Sequence, residues 1–259
     1  MKNSKAANIY LIFCLLMIYL PIIIVIIYSF NVSRITSIWS GFTLDWYRQL
    51  FKDRQMLESL YTSLKLGVLS SAFAAIIGTL AAFGMSRAKI RGGQIVEYVS
   101  ILPIMLPEII LGMVFLAYFS LIRLKLGMLT LTIAHVAFCI PYIYLLVKAR
   151  LVGIDKSYAE AARDLGAGEI RTFFDITLPL IFPAVLSGIF LAFAMSFDDV
   201  IISVFVSGVD TNTLPIKIYS QIKIGTTPKT NALCSLLFFA TVLLSLISAR
   251  FAQKRKALK

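Results

Sequence analysis

Long apolar runs separated by short polar stretches form the main pattern of this 259-residue sequence. A run of about 20 apolar residues is long enough to cross the hydrocarbon core of a bilayer as a helix. The predicted spans lie at about residues 9–30, 60–86, 94–119, 127–147, 180–207 and 231–249. The pattern therefore predicts an all-α polytopic membrane protein with six transmembrane helices.

The longest polar segment inside this apolar pattern runs from Asp155 to Pro179 and predicts two short helices. Ser157 followed by Glu160 fits a capping box, so a helix should begin near Tyr158, and Gly166 is placed to end it in the left-handed conformation. Its apolar face, at helical spacing, consists of Tyr158, Ala161, Ala162 and Leu165. A shallow face of this kind suits a groove on another protein, although a solvated loop helix would show the same pattern.

The composition agrees with a membrane chain, because 59% of the residues are hydrophobic and 15% are charged. The formal net charge of +12 could indicate nucleic acid, but the positive-inside rule explains it better and no nucleic-acid partner is expected. The larger group of basic residues, expected in the cytoplasm with both termini, is Lys2, Lys5, Arg87, Lys89, Arg91, Lys148, Arg150, Lys156, Arg163, Arg171, Arg250, Lys254, Arg255, Lys256 and Lys259. The smaller group falls in the other loops, so the polar segment 155–179 is predicted to face the cytoplasm.

Residue types that carry enzyme chemistry are sparse. The three cysteines lie in apolar runs without metal-ligand spacing and are expected to pack in the core. His135, the only histidine, lies in an apolar helix and is expected to be a hydrogen-bonded structural residue. The sequence has no P-loop, no zinc-protease motif and no nucleophile elbow. We therefore expect no enzyme activity, no cofactor and no metal site.

Three carboxylates fall within predicted spans, namely Glu108, Asp198 and Asp199. An Asp at a helix centre costs roughly 2.5–3.5 kcal/mol on insertion scales, so these residues are candidates for a functional site. Asp199 lies on a small, polar face with Ala192, Ser196, Ser203 and Ser207. On a regular helix Asp198 points about 100° away, so either the helix breaks there or Asp198 makes a cap or neighbour contact. Structural ion pairs are the alternative, but no basic residue lies in the middle of a predicted span.

An acidic path between helices favours a cationic solute over an anion. A linear polyamine would need spaced carboxylates, together with aromatic faces for its ammonium groups and methylenes. We expect Glu108, Asp198, Asp199 and Ser196 to contact such a solute. Trp46 is a candidate at the outer mouth, although a Trp there is more often an interfacial anchor.

The polar segment resembles the EAA loop of permease subunits of ABC importers. Glu160-Ala161-Ala162, Gly166 four residues later, and Ile176-x-Leu178-Pro179 fill every fixed position of that family pattern. The resemblance implies that this loop is a coupling helix docked into a cleft of a cytoplasmic ATPase. The residues that it implies for coupling are Tyr158, Glu160, Ala161, Ala162, Leu165 and Gly166.

Over nearly its whole length the chain also resembles the permease subunits of spermidine/putrescine importers. The pieces that carry this resemblance are Ser29-Phe30-Asn31, Gly41-Phe42-Thr43, Trp46-Tyr47, Ser196 to Asp199, Leu214-Pro215, Lys217 to Ser220 and Asn231-Ala232-Leu233, with an acid at Glu108. The resemblance implies a type I (MetI-like) permease in a bacterial cytoplasmic membrane. It also implies a homologous second permease, two copies of the ATPase and an extracytoplasmic polyamine-binding protein as partners, and no nucleotide bound by this chain.

Two alternatives remain from the residues. The solute of an ABC importer could be ferric ion or another cation. Intramembrane acids are also found in proton-coupled secondary transporters, but that reading leaves the EAA loop unexplained.

Overall fold

The computed structural model describes residues 5–33, 38–87, 92–155, 157–225 and 227–257. Over these residues the chain is helical, with one isolated antiparallel bridge between Asn31 and Phe42. The helices are α1 Lys5–Tyr28, α2 Asp45–Lys52, α3 Arg54–Arg87, α4 Gly93–Met105, α5 Glu108–Leu121, α6 Met128–Val152, α7 Ser157–Asp164, α8 Glu169–Thr172, α9 Leu178–Asp198, α10 Ile201–Val206, α11 Leu214–Ile224 and α12 Pro228–Ala257. A π-helical turn, Phe173–Thr177, joins α8 to α9. The all-α prediction is confirmed.

Several of these helices are long and apolar enough to cross a membrane. They are Asn8–Tyr28, Arg54–Arg87, Met128–Val152 and Glu169–Asp198, with the bent pair α4 and α5 as a fifth candidate. The predicted span at 231–249 falls in α12, where the apolar part described, Pro228–Leu243, is shorter. The structure therefore supports four or five spans, and the sixth stays a prediction.

The predicted third span, 94–119, is not one straight helix. The chain turns by 109° between α4 and α5. The residue before a proline is pushed out of the helical region, and Leu106, which precedes Pro107, has an extended conformation with ψ 138°. Helix α5 begins immediately after Pro107, so Glu108 is its first residue.

The two predicted polar loops each contain a helix that their polar composition did not indicate. Helix α2 lies in the first loop and buries Trp46 and Leu50 while its polar side chains remain outside. Helix α3 begins before the expected residue 60, because the carboxylate of Asp53 accepts a hydrogen bond from the backbone N–H of Met56 (3.1 Å). Helix α11 lies in the second loop.

The chain divides into two compact units, the first made of residues 1–57 and 218–259. Within it, α1 and α2 both pack against α12. Lys229 on α12 forms an ion pair with Asp53, with 2.6 Å between the charged atoms. Helix α1 otherwise exposes most of its apolar side chains, as expected for a helix surrounded by lipid or by another membrane subunit.

The second unit, Glu58–Lys217, is built around α6. Helices α4, α5, α9 and α10 all pack against α6. Close packing depends on small residues: a Cβ added at Gly78 of α3 would lie 3.1 Å from Ile143, and one added at Gly67 would lie 2.8 Å from Phe193 of α9. Half of the apolar window of α3 is buried, and its central place in the bundle stays a prediction.

Candidate functional site

The first functional region is the segment around α7. The helix begins at Ser157, and the residue that caps it is Asp155, whose carboxylate accepts a hydrogen bond from the backbone N–H of Ser157 (2.9 Å). The predicted capping box with Ser157 as the cap is therefore corrected by two residues. Hydrogen bonds from Ser157 lower the pKa of the exposed Asp155 below its ordinary 3.8, so this cap is present at neutral pH and is lost only as the pH falls through that lowered pKa.

Helix α7 ends at Gly166, as the sequence predicts. Gly166 has φ +84°, in the left-handed region that favours glycine. Its N–H bonds to the carbonyl of Arg163 (2.8 Å), and the next N–H, from Ala167, bonds to the carbonyl of Ala162 (3.0 Å). These two bonds are the Schellman motif, so the backbone of the whole turn depends on the conformation of Gly166.

Among the residues that the structure describes, none covers the apolar face of α7. Leu165 is 90% exposed and Tyr158 is 58% exposed. Beside this face lies an open groove of about 590 Å³. Its lining residues are Ser157, Tyr158, Ala161, Ala162, Leu165, Ala167, Arg171, Thr172, Asp175 and Ile176. Glu160 is exposed and makes no hydrogen bond or ion pair among the residues that the structure describes, so its carboxylate is available to another protein.

One continuous helix, Glu169–Asp198, leads away from this segment. It consists of α8, the π-helical turn and α9, and at 1.5 Å per residue its 30 residues extend about 45 Å. π-Helical turns are rare and frequently occur at functional sites. This helix joins the exposed groove to Asp198, its last residue, and to the adjacent Asp199.

Contacts from neighbouring helices hold the beginning of this helix. The ring of Phe173 lies 4.5 Å from the ring of Phe83 on α3. Arg150 of α6 donates from Nε to the carbonyl of Leu180 (3.2 Å). Two residues earlier on α6, Lys148 forms an ion pair with Glu97 of α4. Helices α3, α4 and α9 are thus tied to one another, partly through α6, beside the exposed groove.

The second functional region is the break at the end of α9. The helix ends at Asp198, and Asp199 follows with extended backbone (φ −67°, ψ 126°) before α10 begins. Of the two outcomes left open by the sequence, the helix break is the one observed. Asp198 is exposed, whereas Asp199 is buried with 8% of its surface exposed.

The carboxylate of Asp199 accepts three hydrogen bonds from α10. It accepts from the backbone N–H groups of Ile202 (3.2 Å) and Ser203 (2.8 Å) and from the hydroxyl of Ser203 (2.8 Å). Nε2 of His135 lies 3.4 Å from the same carboxylate oxygen that Ser203 contacts. Asp199 therefore caps α10, and a contact of its buried carboxylate with a solute stays a prediction.

A buried chain of side chains continues from Asp199 into the bundle. His135 contacts the hydroxyl of Ser203 through Nε2 (3.1 Å) and the hydroxyl of Ser196 through Nδ1 (2.8 Å). Ser196 in turn contacts Ser70 of α3 (2.8 Å). The polar face expected to line a path is thus packed against α6 and α3 in this structure, and His135 is hydrogen-bonded as predicted.

Glu108 lies at the other broken helix. It is exposed at the beginning of α5. Tyr142 packs edge-on against Phe138, with 5.6 Å between ring centroids. Tyr142 of α6 is partly exposed, and the face of a tyrosine ring attracts organic cations.

Trp46 has a structural role within the first unit. Its indole N–H donates to the carbonyl of Asn31 (2.7 Å). The side chain of Asn31 bonds to the carbonyl of Ile38 (2.7 Å) and to the N–H of Ser40 (2.9 Å), which closes the loop around it. A role of Trp46 in solute passage stays a prediction.

Sequence reasoning missed Ser70 and the contacts of Glu97, Lys148 and Arg150. Ser70 lies on the small-residue face of α3, which predicts close packing but not a partner 126 residues away. The spacing of Asp199 and Ser203, four residues apart, did indicate that they share one face. Their contact with His135 depends on the crossing of α6 and α9, which no local pattern reveals.

Residues 74–256 match the protein family described as "Binding-protein-dependent transport system inner membrane component". The chain belongs to this family. It is 38% identical, over 92% of both chains, to the spermidine/putrescine transport system permease protein PotC of Haemophilus influenzae. It is also 37% identical to the putrescine transport system permease protein PotI of Escherichia coli K12, over 89% of this chain and 85% of that one. Because the family consists of transport components, the chain is a membrane permease.

Solved structures agree on the fold. A bacterial ABC transporter involved in the import of the acidic polysaccharide alginate matches with a TM-score of 0.74, 15% identity, and coverage of 97% of this chain and 99% of that chain. The MetNI methionine ABC transporter matches with a TM-score of 0.59, 17% identity, and coverage of 84% and 99% respectively. The permease therefore has the fold of ABC importer membrane subunits, as the MetI-like prediction expects.

Proposed function

We propose that this chain is a permease subunit of an ATP-driven importer of polyamines, with spermidine and putrescine as solutes. The sequence similarity to polyamine permeases in two kinds of transport system supports the solute class. The exposed carboxylates of Glu108 and Asp198, each at a break between apolar helices, support a path for a cation with separated positive charges. Charge-assisted hydrogen bonds to ammonium groups are stronger than neutral ones.

The observation that carries the coupling proposal is the continuous helix Glu169–Asp198. Its first turns border the exposed groove beside α7, and its last residue is the exposed acid of the break. The exposed face of α7 docks on a cytoplasmic ATPase. When ATP closes the two copies of that ATPase, α7 moves, and this helix carries the movement to the break, so that the acids face one side of the membrane and then the other.

The two adjacent acids have different roles in this proposal. Asp198 and Glu108 attract the ammonium groups, while Asp199 and Ser196 hold the shape of the break directly behind Asp198. Tyr142, which is partly exposed, supplies apolar surface for the methylene chain. A homologous second permease completes the path, a polyamine-binding protein delivers the solute from outside, and both termini lie in the cytoplasm.

The test is uptake of labelled spermidine and putrescine into vesicles that contain this chain with its partner permease, ATPase and binding protein. We expect uptake that requires ATP and that unlabelled polyamines suppress. Uptake that persists without the ATPase would indicate secondary transport. Suppression by ferric chelate, with none by polyamines, would assign the path to another cation; the residues described contain no cluster of three metal-ligating side chains.

A further inference from the structure

His135 uses both of its ring nitrogens inside the bundle and is fully buried. Its contacts reach one residue on α9, one on α10 and the carboxylate between them. A side chain that bonds to both sides of a helix break can fix the angle and register of that break. The same ring could instead only fill space, and the two roles differ in what its replacement would do.

The protons of this cluster can be assigned from its geometry. The hydroxyl of Ser203 has one proton and lies 2.8 Å from the carboxylate of Asp199, so it donates there. It can then only accept from Nε2 of His135. The neutral ring with its proton on Nε2 leaves Nδ1 as an acceptor for the hydroxyl of Ser196. The hydroxyl of Ser70 lies 2.8 Å from both the oxygen of Ser196 and the carbonyl of Leu66, so its one proton is shared between these two acceptors. The Nε2–H of His135 and the hydroxyl of Ser203 then both point towards the carboxylate of Asp199.

The side chains joined by these hydrogen bonds belong to different helices. Ser70 belongs to α3, His135 to α6, Ser196 to α9 and Ser203 to α10. Helix α10 has only six residues, too short to be stable by itself, so its position depends on the Asp199 cap and on packing. A Cβ added at Gly112 of α5 would lie 2.5 Å from Phe205 of α10, so α10 in turn fixes the helix that begins with Glu108.

We propose that His135 is a positioning residue for transport: its Nε2–H holds Asp199 and Ser203 in the arrangement that presents Asp198 to the solute. This inference rests on the proposed function, because it assigns how that path is kept in shape. His135 does not contact the solute. It acts through Asp199, and the bond that matters is the one at Nε2 rather than the one at Nδ1.

Three replacements of His135 distinguish the effect of the hydrogen bond at Nε2, the effect of the hydrogen bond at Nδ1 and the effect of the ring volume. In His135→Gln the amide nitrogen occupies nearly the place of Nε2 and can still donate to Asp199. In His135→Asn the shorter amide can still form a hydrogen bond with Ser196 but does not reach Ser203 or Asp199. In His135→Phe the ring fills a similar volume and forms no hydrogen bond. Cys139→Ala is the matched control, since Cys139 lies one turn further on the same buried face of α6 and contacts a backbone carbonyl of α9.

For the assembled importer we expect the maximal rate of spermidine uptake to fall by about tenfold or more in His135→Phe and His135→Asn. His135→Gln should stay within about threefold of the parent and Cys139→Ala within about twofold. The apparent KM should not change, because capture by the binding protein precedes the break. If Asn retains the rate and Gln loses it, or if all three variants transport normally, the proposal is wrong.

A double-mutant cycle tests whether His135 acts through Asp199. We expect His135→Phe to add little to the loss caused by Asp199→Asn, both in uptake and in the thermal unfolding midpoint of the purified complex. Additive losses, or failure of His135 variants alone to assemble, would overturn the proposal. The unfolding midpoint is measured without solute, so this result does not depend on the proposed function. The proposed function fails separately, if Glu108→Gln and Asp198→Asn transport spermidine normally.

Discussion

The two ends of the helix Glu169–Asp198 have surroundings of opposite character. At its beginning, apolar side chains are exposed, among them Ile170 and the nearby Leu165. At its end, polar side chains are buried, among them Ser196 and Asp199. Both arrangements reverse the usual distribution of residues. Exposed apolar residues beside a groove are typical of a docking surface, whereas buried polar residues with every bond satisfied specify one arrangement of helices.

The reversal also explains why neighbouring acids differ. Asp198 and Asp199 have the same side chain, yet one is exposed and the other accepts three hydrogen bonds in the interior. The break between α9 and α10 separates them, because one residue still belongs to the helix and the next caps the following helix. The carboxylate at the first position is exposed, as the proposed contact with a solute requires, and the carboxylate at the second caps α10.

The largest effect should follow from Gly166→Val at the docking end. A β-branched residue at φ +84° is strained, by at least about 1–2 kcal/mol, although no atom would obstruct its Cβ. We expect the end of α7 to rearrange and ATP-driven uptake to fall by about tenfold or more, with normal membrane insertion.

Gly168→Val is the matched control for this change. Gly168 has φ −66° and equally open space, so a side chain there should be tolerated. Full co-purification of the ATPase with Gly166→Val, or equal losses in both variants, would show that the turn does not set the docking surface.

At the buried end, Asp199→Asn should destabilise the protein. The amide offers one acceptor oxygen where the carboxylate offers two, which leaves a donor of α10 facing an NH₂ group and costs about 1–3 kcal/mol. We expect the thermal unfolding midpoint to fall by several degrees, at about 2–4 °C per kcal/mol. Asp198→Asn should leave the midpoint unchanged, and equal midpoints for the two variants would remove the distinction between these acids.

The ion pair between Lys148 and Glu97 should have a smaller effect. Both side chains are about one-third exposed, so the pair contributes at most about 1 kcal/mol. If it ties α4 to α6 during coupling, Glu97→Gln should lower ATP-driven uptake by about two- to fivefold. The exchange Glu97→Lys with Lys148→Glu should restore much of it, and no restoration would mean that the pair is not part of the coupling.

Single cysteine substitutions should have the smallest effect on transport, and they test on which side of the membrane α7 lies. Leu165→Cys and Val209→Cys, with the native cysteines replaced, introduce thiols at positions that are 90% and 97% exposed. An impermeant thiol reagent applied outside cells should label position 209 and spare position 165. The opposite pattern would reverse the orientation and separate α7 from cytoplasmic ATP.

Local chemistry made part of this account predictable from the sequence. Gly166 ended α7 as expected because one residue conformation decides a Schellman turn. Pro107 lies at the bend between α4 and α5, but the sequence suggested one straight span there. Hydropathy measures the length of an apolar segment and does not indicate whether the helix bends. The amphipathic α2 was concealed for a related reason: eight residues of mixed polarity do not differ in composition from a loop.

The buried polar network required the tertiary structure. A helical projection correctly placed Ser196, Asp199 and Ser203 on one face, but the face could equally have met a water-filled path or another helix. The position of His135 on α6 and of Ser70 on α3 decides between them, since both supply partners. Those contacts depend on helix crossings set by Gly67 and Gly78 rather than on any pattern within α9.

The central claim, that this helix ends in an acid that meets the solute, is tested most directly by Asp198→Asn in the reconstituted importer. Asp210→Asn, which neutralises another exposed carboxylate of the same unit, is the control. We predict that Asp198→Asn assembles with its ATPase and unfolds at the parental temperature while spermidine uptake falls by about tenfold or more, and that Asp210→Asn transports normally. Uptake unchanged in Asp198→Asn, or lost only together with ATPase association, would contradict the account.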